Sequence, residues 1–519
     1  MIEELKLINP GSVRVRIAPS PTGKMHVGLA RTALFNYLFA EKYKGIFILR
    51  IEDTDKERSK KEYEEDIIEG LNWLGLKYQE GPEVGGDYGP YRQSERTGIY
   101  RKYLKKLIDE GKAYYCFCPQ EEIKAHKEYL MSIGQPSVYS GKCRKLSPEE
   151  VEKNIKEGKS YVIRLKTSQK EVVFKDMLRG EISYHTSNFG DFVIAKDLES
   201  PLYNFAVVVD DQEMKISHVI RGEDHIPNTS KQIIIAKNLG WEVPKYLHLP
   251  LILGPDKTKL SKRDNIKSLL EYREEGYLPE AFVNFLALLG WNPDSDREVF
   301  PLPSLIKEFT PEKFQKSGAV FNPKKLTWLN SFYIRQKSLE KLAALCIPYL
   351  LRDGLIRSKF KTEKYPPAYG SDLIKEEFEV VERNERISFS TLQKIVSLYQ
   401  ERLNKLSEIS ELTDYFFKKE LDYNKEILKW KDMNDKEIKN NLDKLKKKLS
   451  KIKNWEEENL KKELLDFAGE AGEGDRGRIL WPFRVALTGK KASAGPFEIS
   501  AVLGREKTLE RINKAQEKL

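Results

Sequence analysis

Residues 12–55 read SVRVRIAPSPTGKMHVGLARTALFNYLFAEKYKGIFILRIEDTD. Apolar residues alternate with arginine from Val13 to Ile17, which predicts a strand. A turn rich in proline and glycine follows, and from His26 apolar residues recur at helical spacing until a second strand-like run at 46–51. A strand, a helix and a strand over this length predict a βαβ unit, and therefore a parallel sheet that binds ligands at the carboxyl ends of its strands.

The α/β pattern is interrupted once and then resumes. Over 114–200 a cysteine cluster, turns and short mixed segments replace it, which predicts an inserted domain. Strand-like runs at 216–220 and 247–253 then flank a helical run at 231–239, while 205–209 fits a strand or a helix equally well. We therefore expect two separate parts of the chain to build one sheet.

The remainder of the chain is predicted to be helical, and from Leu339 it is also rich in lysine. Leu442, Leu445 and Leu449 follow the helical period with lysines between them. These lysines predict a solvated helix face, with contact to RNA as the alternative. Cys346 stands in an apolar helical run and is predicted to belong to a core.

The composition is that of a globular chain of several domains. It has 519 residues, of which 40% are hydrophobic, and a net charge of +10. This charge is compatible with a polyanionic partner and equally with a solvated surface. The sequence contains no apolar stretch long enough for a membrane and no signal-peptide core at its start, so a cytoplasmic location is expected.

Two segments carry groups suited to the phosphates of a nucleotide. His26 stands at a helix start, where backbone N–H groups attract phosphate, and Gly28 would let a nucleotide approach the backbone. Lys259 and Lys262 lie in a loop, 254–263, where two ammonium groups could stabilise charge in a transition state. The alternatives are a turn histidine without a role and a solvated basic loop.

Charged residues at the predicted strand ends suit an amino acid with an acidic side chain. Arg16 and Arg221 lie at or beside such ends, and arginine binds carboxylate through two parallel hydrogen bonds. Glu52 follows a neighbouring strand and could hold an ammonium group. An internal network of salt bridges is the equal alternative.

Cys116, Cys118 and Cys143 cluster inside the predicted insertion. Three thiols in a small domain favour a structural zinc, which needs a fourth ligand. Tyr139 and His126 are the candidates for that ligand. Three reduced, buried thiols without a metal are the alternative.

Together these segments resemble the bacterial type of glutamyl-tRNA synthetase, a class I aminoacyl-tRNA synthetase. Residues 19–29 resemble its HIGH motif region, and KLSKR at 259–263 resembles its KMSKS motif. Other segments are similar to parts of the glutamate and glutamine enzymes: 50–55, 219–225, 325–330 and 481–489. The resemblance implies a two-step ligation of L-glutamate to tRNA through a glutamyl-adenylate, with release of pyrophosphate and AMP.

The resemblance also implies the roles of individual residues. The implied catalytic residues are His26, Lys259 and Lys262. The implied site for ATP, which would bind with Mg, comprises Ser20, His26, Gly28, Asp224, Lys259 and Lys262. The implied glutamate site comprises Arg16, Ala18, Ser20, Glu52, Tyr203, Val207, Arg221 and His225. One structural zinc is expected on Cys116, Cys118, Tyr139 and Cys143.

The fold class implied is an α/β Rossmann-like catalytic domain with an inserted acceptor-binding domain, followed by an all-α anticodon-binding region. The first catalytic half is expected at 12–113, the insertion with its zinc site at 114–200 and the second catalytic half at 201–255. A stem-contact helical domain with the KMSKS-like loop is expected at 256–336, and the anticodon-binding domain at 337–519. The protein is expected to act as a monomer.

The chain departs from the family pattern at Leu29, which replaces the final histidine of the HIGH motif, and at Leu260 and Arg263 in the KMSKS-like motif. At the zinc site Arg144 directly follows Cys143, where the family often has a histidine after the third cysteine, and this favours Tyr139 as the fourth ligand.

The sequence leaves three alternative functions. A glutaminyl-tRNA synthetase would carry a β-barrel anticodon region instead of lysine-rich helices. An enzyme that glutamylates a tRNA base would lack the last third, and a silent RNA-binding paralogue would not need both His26 and Lys262.

Overall fold

The computed structural model divides the chain into two compact units. The first contains residues 1–273 and 279–326, and the second contains 274–278 and 327–519. No helix in the described part of the chain is long and apolar enough to cross a membrane. The structure describes residues 9–167, 171–258, 260, 267–293, 296–358 and 377–519.

The first unit is an α/β structure. Its strands are β1 (Arg14–Ile17), β2 (Ile46–Leu49), β3 (Ala113–Cys116), β4 (Val162–Leu165), β5 (Glu171–Asp176), β6 (Gly180–His185), β7 (Val193–Ala195), β8 (His218–Gly222), β9 (Lys245–Leu249), β10 (Ile252–Leu253) and β11 (Ala319–Val320). Its helices are α1 (Val27–Lys42), α2 (Lys61–Leu74), α3 (Thr97–Asp109), α4 (Gln120–Ser132), α5 (Pro148–Lys156), α6 (Tyr203–Glu213), α7 (Ile226–Leu239), α8 (Leu269–Glu274), α9 (Pro279–Leu288) and α10 (Leu302–Glu308).

Parallel strands form the centre of this unit, as the βαβ pattern predicts. β1 pairs with β2, and β8 pairs with β9, both in parallel. The backbone N–H of Ser217 donates to the carbonyl of Arg14 at 3.0 Å, which places the start of β8 beside β1. The undecided segment 205–209 is part of helix α6.

The range expected for the insertion contributes to two sheets. Strands β3, β4 and β7 form a small antiparallel sheet of their own. The hairpin β5–β6 instead joins β9 and β8 in a four-stranded sheet, in the order β6-β5-β9-β8. Asp176, at the end of β5, pairs there with Tyr246 of β9.

The second unit is mainly helical, as expected. Its elements are α11 (Pro323–Arg335), α12 (Leu339–Arg352), β12 (Ile356–Arg357), β13 (Glu377–Val380), β14 (Glu385–Ser388), α13 (Phe389–Ser397), α14 (Glu408–Thr413), α15 (Asp435–Lys451), α16 (Glu457–Ala471), α17 (Gly477–Thr488), α18 (Pro496–Leu503) and α19 (Arg505–Lys518). Leu442, Leu445 and Leu449 are buried on one face of α15, and Cys346 is buried in α12. The expectation of purely helical structure needs one correction, because β12, β13 and β14 form an antiparallel sheet.

Candidate functional site

The first part of the candidate site is the amino terminus of α1, where His26 is the N-cap residue. Its Nδ1 atom accepts the backbone N–H of Leu29 at 3.2 Å, so the proton of the neutral ring is on Nε2. A Cβ atom on residue 28 would lie 3.1 Å from the imidazole, and Gly28 therefore leaves room for the ring itself. An N–H donor beside a helix amino terminus suits a phosphate group.

Of the other residues expected at the nucleotide, Ser20 and Asp224 are described by the structure and the two lysines are not. Ser20 is exposed in the loop between β1 and α1, and Asp224 is exposed just after β8. A Cβ atom on Gly222 would come within 2.5 Å of an oxygen of Asp224, so this glycine allows the carboxylate to fold back. Lys259 and Lys262 lie outside the described residues, and their role stays a prediction.

The carboxyl ends of β1 and β2 bring Arg16 and Glu52 into one region. Hydrogen bonds continue past the two strands: the Arg50 N–H donates to the carbonyl of Ile17 at 3.0 Å, and the Glu52 N–H donates to that of Pro19 at 2.9 Å. Ala18 is half-buried in the same loop. Both predicted charged residues therefore lie at the sheet edge where parallel sheets bind ligands.

Arg16 is held by Asp211, a residue that the sequence analysis missed. The Arg16 Nε and Nη2 atoms donate to the two Asp211 oxygens at 3.0 and 3.2 Å. Arg50, which is fully buried, donates to Asp211 at 2.7 Å and to Glu52 at 3.2 Å. The alternative of an internal ion-pair network thus describes the contacts of Arg16 and Glu52.

A second carboxylate, Asp210, fixes this network to the surrounding helices. It is completely buried on α6 and accepts hydrogen bonds from Gln93 at 2.8 Å, Arg96 at 2.7 Å and Tyr100 at 2.9 Å. The buried charges beneath the sheet edge are therefore paired and hydrogen-bonded, which is the condition for charges in a protein interior. The guanidinium of Arg16 and the carboxylate of Glu52 are thereby held in fixed positions.

Glu52 is a buried carboxyl group whose pKa is shifted by its surroundings. Burial raises its pKa from 4.5 to about 7, although the neighbouring Arg50 and Arg16 oppose the rise. A buried carboxyl group of this kind gains from a nearby cation, because a cation favours its charged form. An ammonium group of a ligand is such a cation.

Tyr203 and His225 meet beside these charges. The Tyr203 hydroxyl lies 3.1 Å from His225 Nδ1. Burial, together with the nearby Glu52 carboxylate, raises the pKa of Tyr203 to about 12, and Arg221 and Arg16 oppose this rise. Burial and then Arg221 lower the pKa of His225 to about 4. These mutual effects indicate that the predicted glutamate-site side chains converge on one region.

Val207 is the exception among them. It lies one turn after Tyr203 on α6 and is only 1% exposed. Its side chain offers almost no surface to a ligand, and it forms part of the wall behind Tyr203.

Arg221, near the carboxyl end of β8, is buried without a carboxylate partner among the described residues. It is 6% exposed. Its Nη2 donates to Thr229 Oγ1 and Gln232 Oε1, each at 2.7 Å, and its Nε lies 3.4 Å from His248 Nε2. Its Nη1 is buried and has no hydrogen-bond partner within the described part of the chain. Among the described residues, the side chains that hydrogen-bond Arg221 are thus uncharged groups.

The candidate metal centre brings together all four predicted ligands. The sulfur atoms of Cys116, Cys118 and Cys143 lie within 4.8 Å of one another, and Cys118 is 3.5 Å from Cys143. The Tyr139 hydroxyl is 3.3 Å from the sulfur of Cys116 and 3.3 Å from that of Cys118. With zinc–sulfur bonds of about 2.3 Å, tetrahedral ligand atoms are about 3.5–3.8 Å apart, so this donor set fits zinc. His126, the alternative ligand, is not in the cluster of described metal-binding side chains.

Arg164 adds a feature that the sequence analysis missed. Its guanidinium carbon lies 3.9 Å from the centre of the Tyr139 ring. This is a cation–π contact, and it helps to hold the Tyr139 ring beside the three thiols.

Comparison with known proteins gives a consistent result. Residues 12–328 match the family model described as tRNA synthetases class I (E and Q), catalytic domain, and residues 341–516 match that of an anticodon binding domain. The chain is 44% identical to the glutamate–tRNA ligase of Carboxydothermus hydrogenoformans, over 96% of this chain and 99% of the relative. It is also 44% identical to glutamate–tRNA ligase 1 of Caldicellulosiruptor saccharolyticus, over 96% and 98% of the two chains.

A solved structure extends the similarity to the fold. The crystal structure of a glutamate tRNA ligase from Elizabethkingia meningosepticum in complex with its amino acid matches with a TM-score of 0.83 at 34% identity, over 98% of this chain and 99% of that one. The family expected from the motifs is thereby confirmed, and so is the fold class apart from the small sheet of β12, β13 and β14. The chain belongs to the class I tRNA synthetases for glutamate and glutamine.

Proposed function

We propose that this protein is a glutamate–tRNA ligase that serves protein synthesis. In the first step the α-carboxylate oxygen of L-glutamate attacks the α-phosphorus of ATP, which forms glutamyl-adenylate and releases pyrophosphate. In the second step a ribose hydroxyl at the end of the tRNA attacks the acyl carbon, which forms the ester and releases AMP. Catalysis on this scheme is positioning and electrostatic stabilisation, with no residue covalently attached.

Arg221 is the observation that carries the choice of an acidic amino acid. A buried guanidinium without a carboxylate is costly, and the carboxylate of a ligand offsets that cost. The side-chain carboxylate of glutamate has the charge and geometry that a guanidinium binds best. A neutral amide such as glutamine does not supply that charge.

The remaining residues divide between the amino acid and the nucleotide. Glu52 binds the ammonium group of glutamate, and Tyr203, His225, Ala18, Ser20 and the wall at Val207 complete the pocket with Arg16. His26 and the amino terminus of α1 bind the phosphates of ATP, with Ser20, Gly28 and Asp224 nearby and Mg as the accompanying ion. Lys259 and Lys262 stabilise the charge that develops on the phosphates.

Zinc is proposed as a structural ion on Cys116, Cys118, Tyr139 and Cys143. When bound, it would fix the small sheet of β3, β4 and β7 in place, in the way that structural zinc contributes folding energy. We assign acceptor-end binding to 114–200, stem contacts to 256–336 and anticodon binding to 337–519. The two catalytic halves remain 12–113 and 201–255. The protein would act as a monomer in the cytoplasm.

The test is pyrophosphate exchange with ATP in the presence of glutamate-accepting tRNA, run with glutamate and with glutamine, followed by charging of purified tRNAs. Wild-type protein should exchange with glutamate and not with glutamine. Arg221→Gln should lose at least ~30-fold in apparent glutamate affinity, since removing one partner of a buried charge pair costs roughly 2 kcal/mol or more. The control Arg297→Gln changes an exposed arginine paired with Glu308 and should behave as wild type. Preference for glutamine would identify the glutaminyl enzyme instead.

A further inference from the structure

We propose that His248, held by Asp176, is a positioning residue that fixes the guanidinium of Arg221 for an acidic substrate. This inference rests on the proposed function, because it concerns how that same site selects its amino acid. Neither His248 nor Asp176 belongs to the site residues described above. Both are completely or almost completely buried.

The sheet itself sets His248 beside Arg221. The parallel register of β8 and β9 pairs these two residues directly. His248 Nε2 lies 3.4 Å from Arg221 Nε and 3.0 Å from Thr229 Oγ1. Thr229 in turn accepts from Arg221 Nη2 at 2.7 Å, so histidine, threonine and arginine form one connected group.

Asp176 determines which ring nitrogen of His248 carries the proton. Its Oδ2 atom accepts from the backbone N–H of His248 at 3.0 Å and lies 2.7 Å from Nδ1. Its Oδ1 atom accepts the backbone N–H groups of Leu178 and Arg179 at 2.9 and 2.8 Å. A carboxylate only accepts hydrogen bonds, so Nδ1 of His248 must be the donor and Nε2 must be the acceptor.

This tautomer is the one that Arg221 requires. An Nε2 lone pair accepts from the Arg221 Nε–H, whereas an Nε2–H would point one donor at another. With Nε and Nη2 engaged by neutral acceptors, Nη1 is the nitrogen of Arg221 that lacks a hydrogen-bond partner among the residues that the structure describes. The acceptors on Nε and Nη2 therefore fix the orientation of the planar guanidinium, and the N–H groups of Nη1 are left to bind a carboxylate.

Two substitutions of His248 separate the acceptor from the donor. In His248→Gln the amide oxygen reaches the position of Nε2, so an acceptor for Arg221 is kept. In His248→Asn the shorter amide reaches only the position of Nδ1, so the contact with Asp176 is kept and the acceptor for Arg221 is lost. We expect His248→Asn to raise the KM for glutamate by roughly tenfold or more, the scale of loss for a supporting partner. His248→Gln should lose clearly less, and neither should change the KM for ATP.

The measurement is pyrophosphate exchange with varied glutamate and varied ATP, with thermal unfolding of each variant recorded in parallel. Equal losses in both variants, or no loss in His248→Asn, would overturn the positioning role. Absence of glutamate-dependent exchange in the wild-type protein, measured with the glutamate-accepting tRNA present, would instead reject the proposed function. The tautomer gives a second readout in the unmodified protein: ¹⁵N-histidine NMR should find His248 protonated at Nδ1, and protonation at Nε2 would contradict the inference.

Discussion

The Nδ1 atom of His26 accepts the backbone N–H of Leu29 at 3.2 Å. One imidazole therefore caps the helix with one nitrogen and directs the other, protonated nitrogen elsewhere. The two roles are separable by substitution, since a capping side chain needs only an acceptor close to the backbone.

His26→Asn tests the phosphate role without removing the cap. Asparagine is a strong N-cap residue, so thermal stability should stay close to that of the wild type, while single-turnover adenylate formation should slow markedly because the Nε2 donor is gone. His26→Ala should lose both adenylation and about 1 kcal/mol of stability. Wild-type adenylation in His26→Asn would leave His26 with the capping role alone.

Glutamate binding should release protons near neutral pH. In the free protein the pKa of Glu52 is raised by burial to about 7, so about half of the molecules carry a proton there at pH 7. The substrate ammonium favours the charged carboxylate, which lowers this pKa and expels that proton. Calorimetry in buffers of different ionisation enthalpy should therefore measure release of about half a proton at pH 7 and about a tenth at pH 8.

The pH dependence of glutamate binding can contradict this role of Glu52. Glutamate should bind more weakly as the pH falls below 7, because the proton then competes with the ammonium group. A binding enthalpy that is independent of the buffer at pH 7 would mean that Glu52 does not meet the ammonium group. Glu52→Gln, which has no proton to release, should abolish the buffer dependence in whatever binding remains.

Elemental analysis of the purified protein should find about one zinc per chain. Tyr139→Phe should lower the zinc content and the stability of the insertion, because the hydroxyl that lies 3.3 Å from two of the sulfurs is removed. Cys118→Ser should lower both further. Tyr129→Phe changes an exposed tyrosine of α4 and serves as the matched control. Full zinc occupancy in Tyr139→Phe would exclude the phenol as a ligand.

Lys262→Ala should slow adenylate formation and leave glutamate binding nearly intact. A donor that contacts charge only in the transition state contributes about 2.7–4 kcal/mol, which corresponds to a 100- to 1000-fold loss of rate. Lys257, an exposed lysine of the same loop, provides the matched control Lys257→Ala. Similar single-turnover rates for the two variants would remove Lys262 from the catalytic residues.

Local sequence patterns predicted the strands and helices whose apolar residues recur at a regular spacing along the chain. The alternation around Val15 and the apolar run at 46–51 correspond to β1 and β2, and the turn before His26 leads into α1 as expected. The segment 205–209 could not be decided because α6 is buried almost all round, which removes the polar face that marks a helical period. The small sheet of the second unit was missed.

The partners of the site residues could not be predicted in the same way. Arg16 and Asp211 are 195 residues apart in the chain, and His248 and Asp176 are 72 apart. No local pattern links such pairs. One signal was present: Asp210 and Asp211 directly follow the apolar run at 205–209, and charges beside such a buried run need partners.

The hairpin β5–β6 has a consequence for how this protein can be recombined. It lies between the small sheet's strands β4 and β7 in the chain, yet it pairs with β9 and supplies the carboxylate that holds His248. The range 114–200 is therefore not structurally independent of the sheet that contains β9. A chimaera that exchanges it whole with a relative's segment replaces the partner of His248 together with the cysteine cluster, so its donor must carry an aspartate matched to the recipient's histidine.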